Sequence, residues 1–184
     1  MADMLSANRI EVLSGKAGGA AGVQLHPAPA ASRASLRAGS DALDALGGAL
    51  GLSLPTQAKT SSSNNGHHAL WIGPDEWLLI GPEGSDYVGM TAQTGALHSM
   101  VDISHRNVGM IVSGPKAARA INAACPLDLS DAVFPVGACA RTVFGKIEIV
   151  LYRMSEDSYR VECWRSFAGY CFGLLHEGAA DAAH

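Results

Sequence analysis

Apolar positions along this chain recur in short runs, and their spacing sets the expected elements. Ala34–Ala38 reads as a short strand. Leu43, Leu46 and Leu50 then recur at helical spacing, with Ser40 or Asp41 placed to cap a helix near 41–51 that ends at "LSLP". The polar stretch Thr60–His68, "TSSSNNGHH", reads as a flexible loop. Apolar runs Ala69–Ile72 and Trp77–Ile80 flank Gly73-Pro74-Asp75-Glu76. Proline presets φ for a turn and Asp suits the next position, so this segment predicts a hairpin. Residues 85–97 predict a weaker helix, disfavoured by Gly89 and Gly95.

Strands are expected at His98–Ile103 and Val108–Val112. Pro115 suits the first position of a helix over 115–124, with Ala118, Ile121 and Ala124 or Cys125 on one face and Pro126 as its stop. "ARTVFG", "KIEIVLYR" and "SYRVECW" carry the β-branched and aromatic residues of strands. In the second of these, Ile147, Ile149 and Leu151 alternate with Glu148, Val150 and Tyr152, and "SEDS" at 155–158 turns the chain into a hairpin. "RSFAGYCFGLLHEG" predicts a closing helix near 165–176. Its stripe is Phe167, Tyr170 or Cys171, and Leu174, with Gly178 just past the end.

Strand, helix, hairpin and helix occur in that order before residue 98. They recur with one added strand after residue 107, which points to two pseudo-repeated halves despite negligible sequence identity. The mixed order predicts an α+β fold, with antiparallel sheets and packed helices, rather than a doubly wound parallel sheet. Residues 1–32, rich in Ala, Gly and Ser with Pro27 and Pro29, read as a flexible N-terminal arm that orders on another chain. Residues 33–178 read as a single domain and 179–184 as a tail.

Composition narrows the function classes. Apolar residues make up 48% of 184 positions, enough for a sizeable core. The net charge is −4, and the 13 Lys and Arg residues form no cluster of four, which argues against nucleic acid or an anionic membrane as partner. The apolar runs are too short and broken to span a bilayer, and the N-terminus lacks a secretory pattern, so cytoplasm is expected. Cys125, Cys139, Cys163 and Cys171 form no CxxC pair and read as buried free thiols rather than metal ligands.

"VDISHRNVGMIVSGP", Val101 to Pro115, concentrates polar chemistry. Asp102, Ser104 and His105 cannot converge as a triad, because strand neighbours point to opposite faces and no G-x-S-x-G elbow raises Ser104. The expected role of Asp102 or Ser104 is to bond local backbone N–H groups. His67 and His68 read as solvated loop histidines, and His176 as a partner of a helix C-terminal dipole. Gly114-Pro115 reads as helix-entry chemistry, since neither GxGxxG nor GxxxxGK[ST] is present. Trp71, Trp77 and Trp164 read as core or interface anchors. Arg165 in "CWRSF" is placed to pair with a carboxylate of this chain or of a partner.

"LWIGPDEWLLIGP", "VDISHRNVGMIVSGPKAARAINAACPLDL", "FPVGACARTVFGKIEIVLYR" and "YRVECWRSFAGYCFGLL" together resemble the gamma-subunit family of heterotetrameric sarcosine oxidases. The resemblance is strong over residues 65–177 and loose in the N-terminal third. It implies a fold like that of folate-binding aminomethyltransferases. It also implies a cytosolic complex that oxidises sarcosine with O₂ to glycine and hydrogen peroxide, with formaldehyde or methylene-tetrahydrofolate. The family places FAD, FMN, NAD and folate sites on alpha and beta chains and zinc on a delta chain. The gamma chain carries no assigned catalytic, cofactor-binding or metal-ligating residue, and its direct contact is expected with the large alpha chain. Arg106 and Arg165 are the expected intersubunit contacts. The alternative is a free-standing folate-binding enzyme or repair protein of the same fold. It would need a carboxylate and an aromatic slot for the pterin, and neither is identifiable in the sequence.

Overall fold

Strand alternation divides the side chains of the chain between three apolar layers. The computed structural model describes residues 12–184. Strand β1 is Gly18–Ala20, β2 Val23–Pro27 and β3 Ala31–Ala38; helix α1 is Leu43–Leu50. Then come β4 Ser61–Asn64, β5 His67–Gly73, β6 Glu76–Pro82, α2 Tyr87–Thr91 and β7 His98–Asp102. The chain continues with β8 Asn107–Ser113, α3 Ala117–Asn122, β9 Cys139–Phe144, β10 Ile147–Ser155, β11 Ser158–Trp164 and α4 Ala168–Ala183. Two antiparallel sheets result, β4-β5-β6-β3-β7 and β1-β2-β8-β11-β10-β9, so the fold is α+β.

Ala34, Leu36, Trp77 and Leu79 pack with Leu46 and Leu50 of α1 and Tyr87 of α2. The other faces of β5 and β6 (Leu70, Leu78 and Ile80) meet Cys139, Val150 and Tyr152 of the second sheet. The far face of that sheet (Met110, Val112, Ile149, Leu151 and Val161) packs with Ile121 of α3 and with Cys171 and Leu175 of α4. The layers therefore run helices, sheet, sheet, helices. The halves share a topology. β3 leads through α1 into the meander β4–β5–β6, whose last strand returns to β3; β8 leads through α3 into β9–β10–β11, whose last strand returns to β8. β7 and β2 each close the outer edge of the corresponding first strand.

Several sequence expectations need correction. The segment expected as an arm contains β1, β2 and the start of β3; Val23 and Leu25 alternate into the core beneath a Gly- and Ala-rich composition that hid them. Residues 1–11 lie outside the described residues. Thr60–His68 is not a loop. β4 and β5 form a hairpin around Asn65 (φ +49°) and Gly66 (φ +79°), the dipeptide that supplies two positive φ values in a tight turn. The helix expected over 85–97 is only Tyr87–Thr91, started by Asp86 Oδ1 accepting from the Gly89 N–H at 2.8 Å. Neither Ser40 nor Asp41 makes a side-chain cap bond; a 3₁₀ turn, Ser40–Ala42, leads into α1.

The closing helix is longer and rotated from expectation. It spans Ala168–Ala183, so 179–184 is no loose tail, and Ala179 and Ala182 are buried. Its core stripe is Ala168, Cys171, Phe172, Leu175, Gly178, Ala179 and Ala182, leaving Phe167 and Tyr170 half-exposed. Gly178 is no terminator: a Cβ there would strike the Ala120 carbonyl oxygen of α3, so it permits a close helix crossing. Gly173, on the exposed face of the same helix, has no neighbour that a Cβ would meet. The same substitution should therefore have opposite signs. Gly178→Ala is expected to cost about 1–3 kcal/mol through overpacking, and Gly173→Ala to stabilise by about 0.5–1 kcal/mol. Urea unfolding midpoints of the two variants check this; equal shifts would contradict the crossing.

Candidate functional site

Arg160 and Glu162 stand two residues apart on β11, on the face turned toward the other sheet, while Tyr159, Val161 and Cys163 point into the helix-covered core. Arg33 reaches across from β3. Its Nε donates to Glu162 Oε2 at 2.6 Å and its Nη2 to Oε1 at 3.0 Å, a bidentate grip. Arg160 Nε donates to Oε1 at 2.7 Å. The Glu162 side chain is 1% exposed. Burial pushes its carboxyl pKa up, but the positive charges of Arg160 and Arg33 and their hydrogen bonds outweigh this and hold it below the ordinary value. Gly109, paired with Glu162 across β8 and β11, makes the room: a Cβ there would lie 2.5 Å from Oε1. Nearer the edge, Glu76 of β6 accepts from Arg141 of β9 at 2.8 Å and from Arg37 of β3 at 3.1 Å.

The backbone of Arg33 meanwhile holds the connection between β7 and β8. Its carbonyl accepts from the Ile103 N–H at 2.9 Å. Ser104 Oγ accepts from the Arg33 N–H at 2.7 Å and donates back to the Arg33 carbonyl at 3.2 Å, so a side chain extends the β3–β7 ladder. Asp102 Oδ1 accepts from the Ser104 N–H at 2.7 Å, and the Ile103 carbonyl takes the N–H groups of Arg106 and Asn107. Asp102 and Ser104 thus bond backbone groups, as their strand-end position implied. His105 is exposed.

Arg106 and Arg165 come together through the main chain, the Arg165 N–H donating to the Arg106 carbonyl at 2.7 Å. The Arg106 guanidinium carbon lies 5.3 Å from the Trp164 ring centroid, and Phe167 stacks beside Trp164 at 6.2 Å and 20°. A cavity of about 260 Å³ opens at the other side of the connection, walled by Leu13, Pro27, Ala28, Ser104, His105 and Arg165.

The remaining candidates have structural partners. His67 and His68 are half-buried strand residues rather than solvated loop ones: Nδ1 of His67 lies 3.0 Å from the Tyr87 hydroxyl on one side of β5, and Nδ1 of His68 3.4 Å from the Tyr152 hydroxyl on the other. Burial, then Arg160 and His67, lower the His68 pKa. His176 sits within α4 rather than at its end, and its Nδ1 accepts from the Gly19 N–H at 3.2 Å. Gly114 (φ +115°) and Pro115 form the turn into α3, which starts at Ala117. Trp77 is core, whereas Trp164 is 46% exposed. The four cysteines are buried free thiols. Among the described residues no group of three or more His, Cys, Asp or Glu is placed to hold a metal ion, and no helix is long and apolar enough to cross a membrane. Sequence reasoning missed Arg33, Arg160, Glu162 and Gly109. The available signal was the Arg-x-Glu spacing inside an otherwise apolar strand, "YRVECW".

This layered fold is similar to that of an aminomethyltransferase. The chain superposes on glycine cleavage system aminomethyltransferase T from Bartonella henselae with a TM-score of 0.60 over 84% of this chain and 45% of that one, at 13% identity, a likeness of fold alone. It belongs to the sarcosine oxidase gamma subunit family, whose model matches residues 37–181. It is 33% identical over 166 residues to the sarcosine oxidase subunit gamma of Corynebacterium sp. (strain P-1), covering 88% of this chain and 82% of that one. It is 36% identical over 120 residues to the subunit gamma of Arthrobacter sp, covering 64% of this chain and 59% of that one. A chain of the heterotetrameric sarcosine oxidase from Corynebacterium sp. U-96, solved in complex with pyrrole 2-carboxylate, superposes with a TM-score of 0.82 at 27% identity, over 88% of this chain and 86% of that one.

Two predictions follow from the charge cluster and the connection it supports. Glu162→Gln strands two buried guanidinium groups and is expected to cost about 3–5 kcal/mol in urea unfolding. The lowered folded-state pKa makes this stabilisation fully present above the ordinary carboxyl value of 4.5; it is lost as pH falls below that and through the folded value. The wild-type melting temperature should thus fall more steeply below pH 4.5 than that of Glu162→Gln, and parallel curves would contradict it. Ser104→Ala leaves the Arg33 N–H without its acceptor and should cost about 1–3 kcal/mol, whereas His105→Ala should stay within about 0.5 kcal/mol. Chemical denaturation of both variants separates them.

Proposed function

We infer that this chain is the gamma subunit of a heterotetrameric sarcosine oxidase and works by association, with no catalytic, cofactor-binding or metal-ligating residue of its own. The family match over residues 37–181 is the observation that carries the assignment. The local geometry supports the second half of it: the Asp102 carboxylate accepts from the Ser104 N–H, and the Ser104 hydroxyl is engaged by the Arg33 backbone.

In this reading the alpha, beta and delta chains are the partners, the large alpha chain the most direct one. They carry FAD, FMN, NAD and zinc, with tetrahydrofolate as co-substrate. The assembly oxidises the N-methyl group of sarcosine with O₂, releasing glycine, hydrogen peroxide and formaldehyde or methylene-tetrahydrofolate in the cytoplasm. Arg106 and Arg165 lie at a subunit contact.

Expression of this chain alone and with the larger chains tests the reading. Alone, it should bind no flavin and release no peroxide from sarcosine. Together, the chains should co-purify and raise its melting temperature by mass action. Complexes carrying Ser104→Ala or His105→Ala should turn over within a few-fold of wild type. A loss on the order of 10²–10⁴-fold in an intact complex would mark a general acid–base role instead.

A further inference from the structure

The two halves of the fold match strand for strand, and the match exposes one vacancy. β2 runs antiparallel to β8, and β7 antiparallel to β3. The residue after each outer strand makes the same bond. The Ala28 N–H donates to the Gly109 carbonyl at 2.9 Å, and the Ile103 N–H to the Arg33 carbonyl at 2.9 Å. Along an antiparallel ladder, residues whose main chain bonds the neighbour alternate with residues whose main chain faces away. Counting back from these two bonds, the main-chain groups of Val23 and Leu25 face away from β8, and those of His98 and Met100 face away from β3. Leu25 and Met100 also agree in side-chain direction, since each packs against its own helix-covered core.

In β2 the outward groups have a partner. β1 pairs Gly18 with Leu25 and Ala20 with Val23. Beyond β7 no strand follows among the described residues, and the segment that precedes it holds α2 instead. The other sheet edges are guarded. β1 is three residues long and is pinned by the Gly19 N–H to His176. On β4, Ser61 and Asn64 donate to the Gly137 and Gly51 carbonyls, and on β9 the Cys139 N–H donates to the Lys59 carbonyl. β7 has none of the devices that blunt an edge. It carries no Lys and no Pro, its register with β3 is unbroken, and its one acid, Asp102, turns back to the Ser104 N–H. Val101 is 52% exposed, and Leu97, just before the strand, 90%. Such an edge takes an extended chain: main-chain bonds supply the affinity, and side chains at alternate positions the specificity.

Resting on the reading of this chain as a subunit, we propose that an extended segment of a larger partner subunit completes the outer edge of β7, as β1 completes β2. It adds a sixth strand to the five-stranded sheet. Its main chain bonds His98 and Met100, and an apolar side chain covers Val101. In the assembly inferred above this chain stands beside larger, different chains, so the donor is one of those.

The test uses co-expressed complexes with the tag on a larger chain. Wild type, Val101→Lys and Met100→Pro are compared, and each variant's melting temperature is recorded alone. Lysine on the edge opposes a neighbouring strand, and proline removes the outward N–H while leaving the bonds to β3. Each should weaken association roughly 10-fold or more, read from dissociation on dilution. Amide exchange is followed at single residues in wild type. The His98 and Met100 amides should exchange readily in the isolated chain and become protected in the complex, while the Ser99 and Val101 amides, which face β3, are protected in both. A photoreactive benzophenone side chain at the position of Leu97 should crosslink to a larger chain. Wild-type affinity of Val101→Lys, unchanged exchange at Met100, or a crosslink to a second copy or to residues 1–11 overturns the strand addition while the subunit reading stands. A wild-type chain that never associates with the larger chains overturns both.

Discussion

A buried carboxylate shared by two arginines is the contact on which the rest of this structure depends. Glu162 has no water to solvate it, so it stays ionised only because Arg33 and Arg160 supply the lost hydration. The constraint reaches outward from there. β8 must carry Gly109 opposite Glu162, because any side chain would displace the carboxylate. β3 must lie where the Arg33 fork meets both oxygens, which sets how the two sheets face each other. An apolar pair would hold the sheets together too, but it would tolerate sliding, and a bidentate grip does not.

Arg33 serves twice. Its side chain reaches Glu162 in the second sheet, and its main chain holds Ile103 and Ser104 in the connection between the halves. The polar run Asp102 to Arg106 therefore works as a rivet at the junction of two similar halves. Beyond the rivet the covering sheet ends, and the same strand that carries Glu162 delivers Trp164 to the surface beside Arg106. A residue set that looks catalytic in one dimension is, in three, a set of backbone hydrogen bonds that holds the connection.

Local chemistry was legible in the sequence. The β5–β6 hairpin, the alternation of Ile147, Ile149 and Leu151, and the repeated order of elements all follow from short-range pattern. Failures arose where a distant element overrode local composition. β1 and β2 look like an arm because small residues dominate them, but they are held by β8 and α4. Gly178 looks like a terminator because its true reason, the α3 backbone, lies 58 positions earlier at Ala120. Asn65-Gly66 was a readable hairpin signal masked by the serines around it. The pairing of Arg33 with Glu162 spans 129 positions, and no single-sequence pattern marks which carboxylate an isolated strand arginine will meet.

Amide hydrogen exchange on Glu162→Gln tests the central claim most directly. If the buried carboxylate anchors both sheets and the connection, protection should fall together in three places: residues 32–35 of β3, residues 103–107, and residues 159–164 of β11. Faster exchange confined to β11 and its neighbours in the same sheet, with β3 and the connection protected as in wild type, would contradict it.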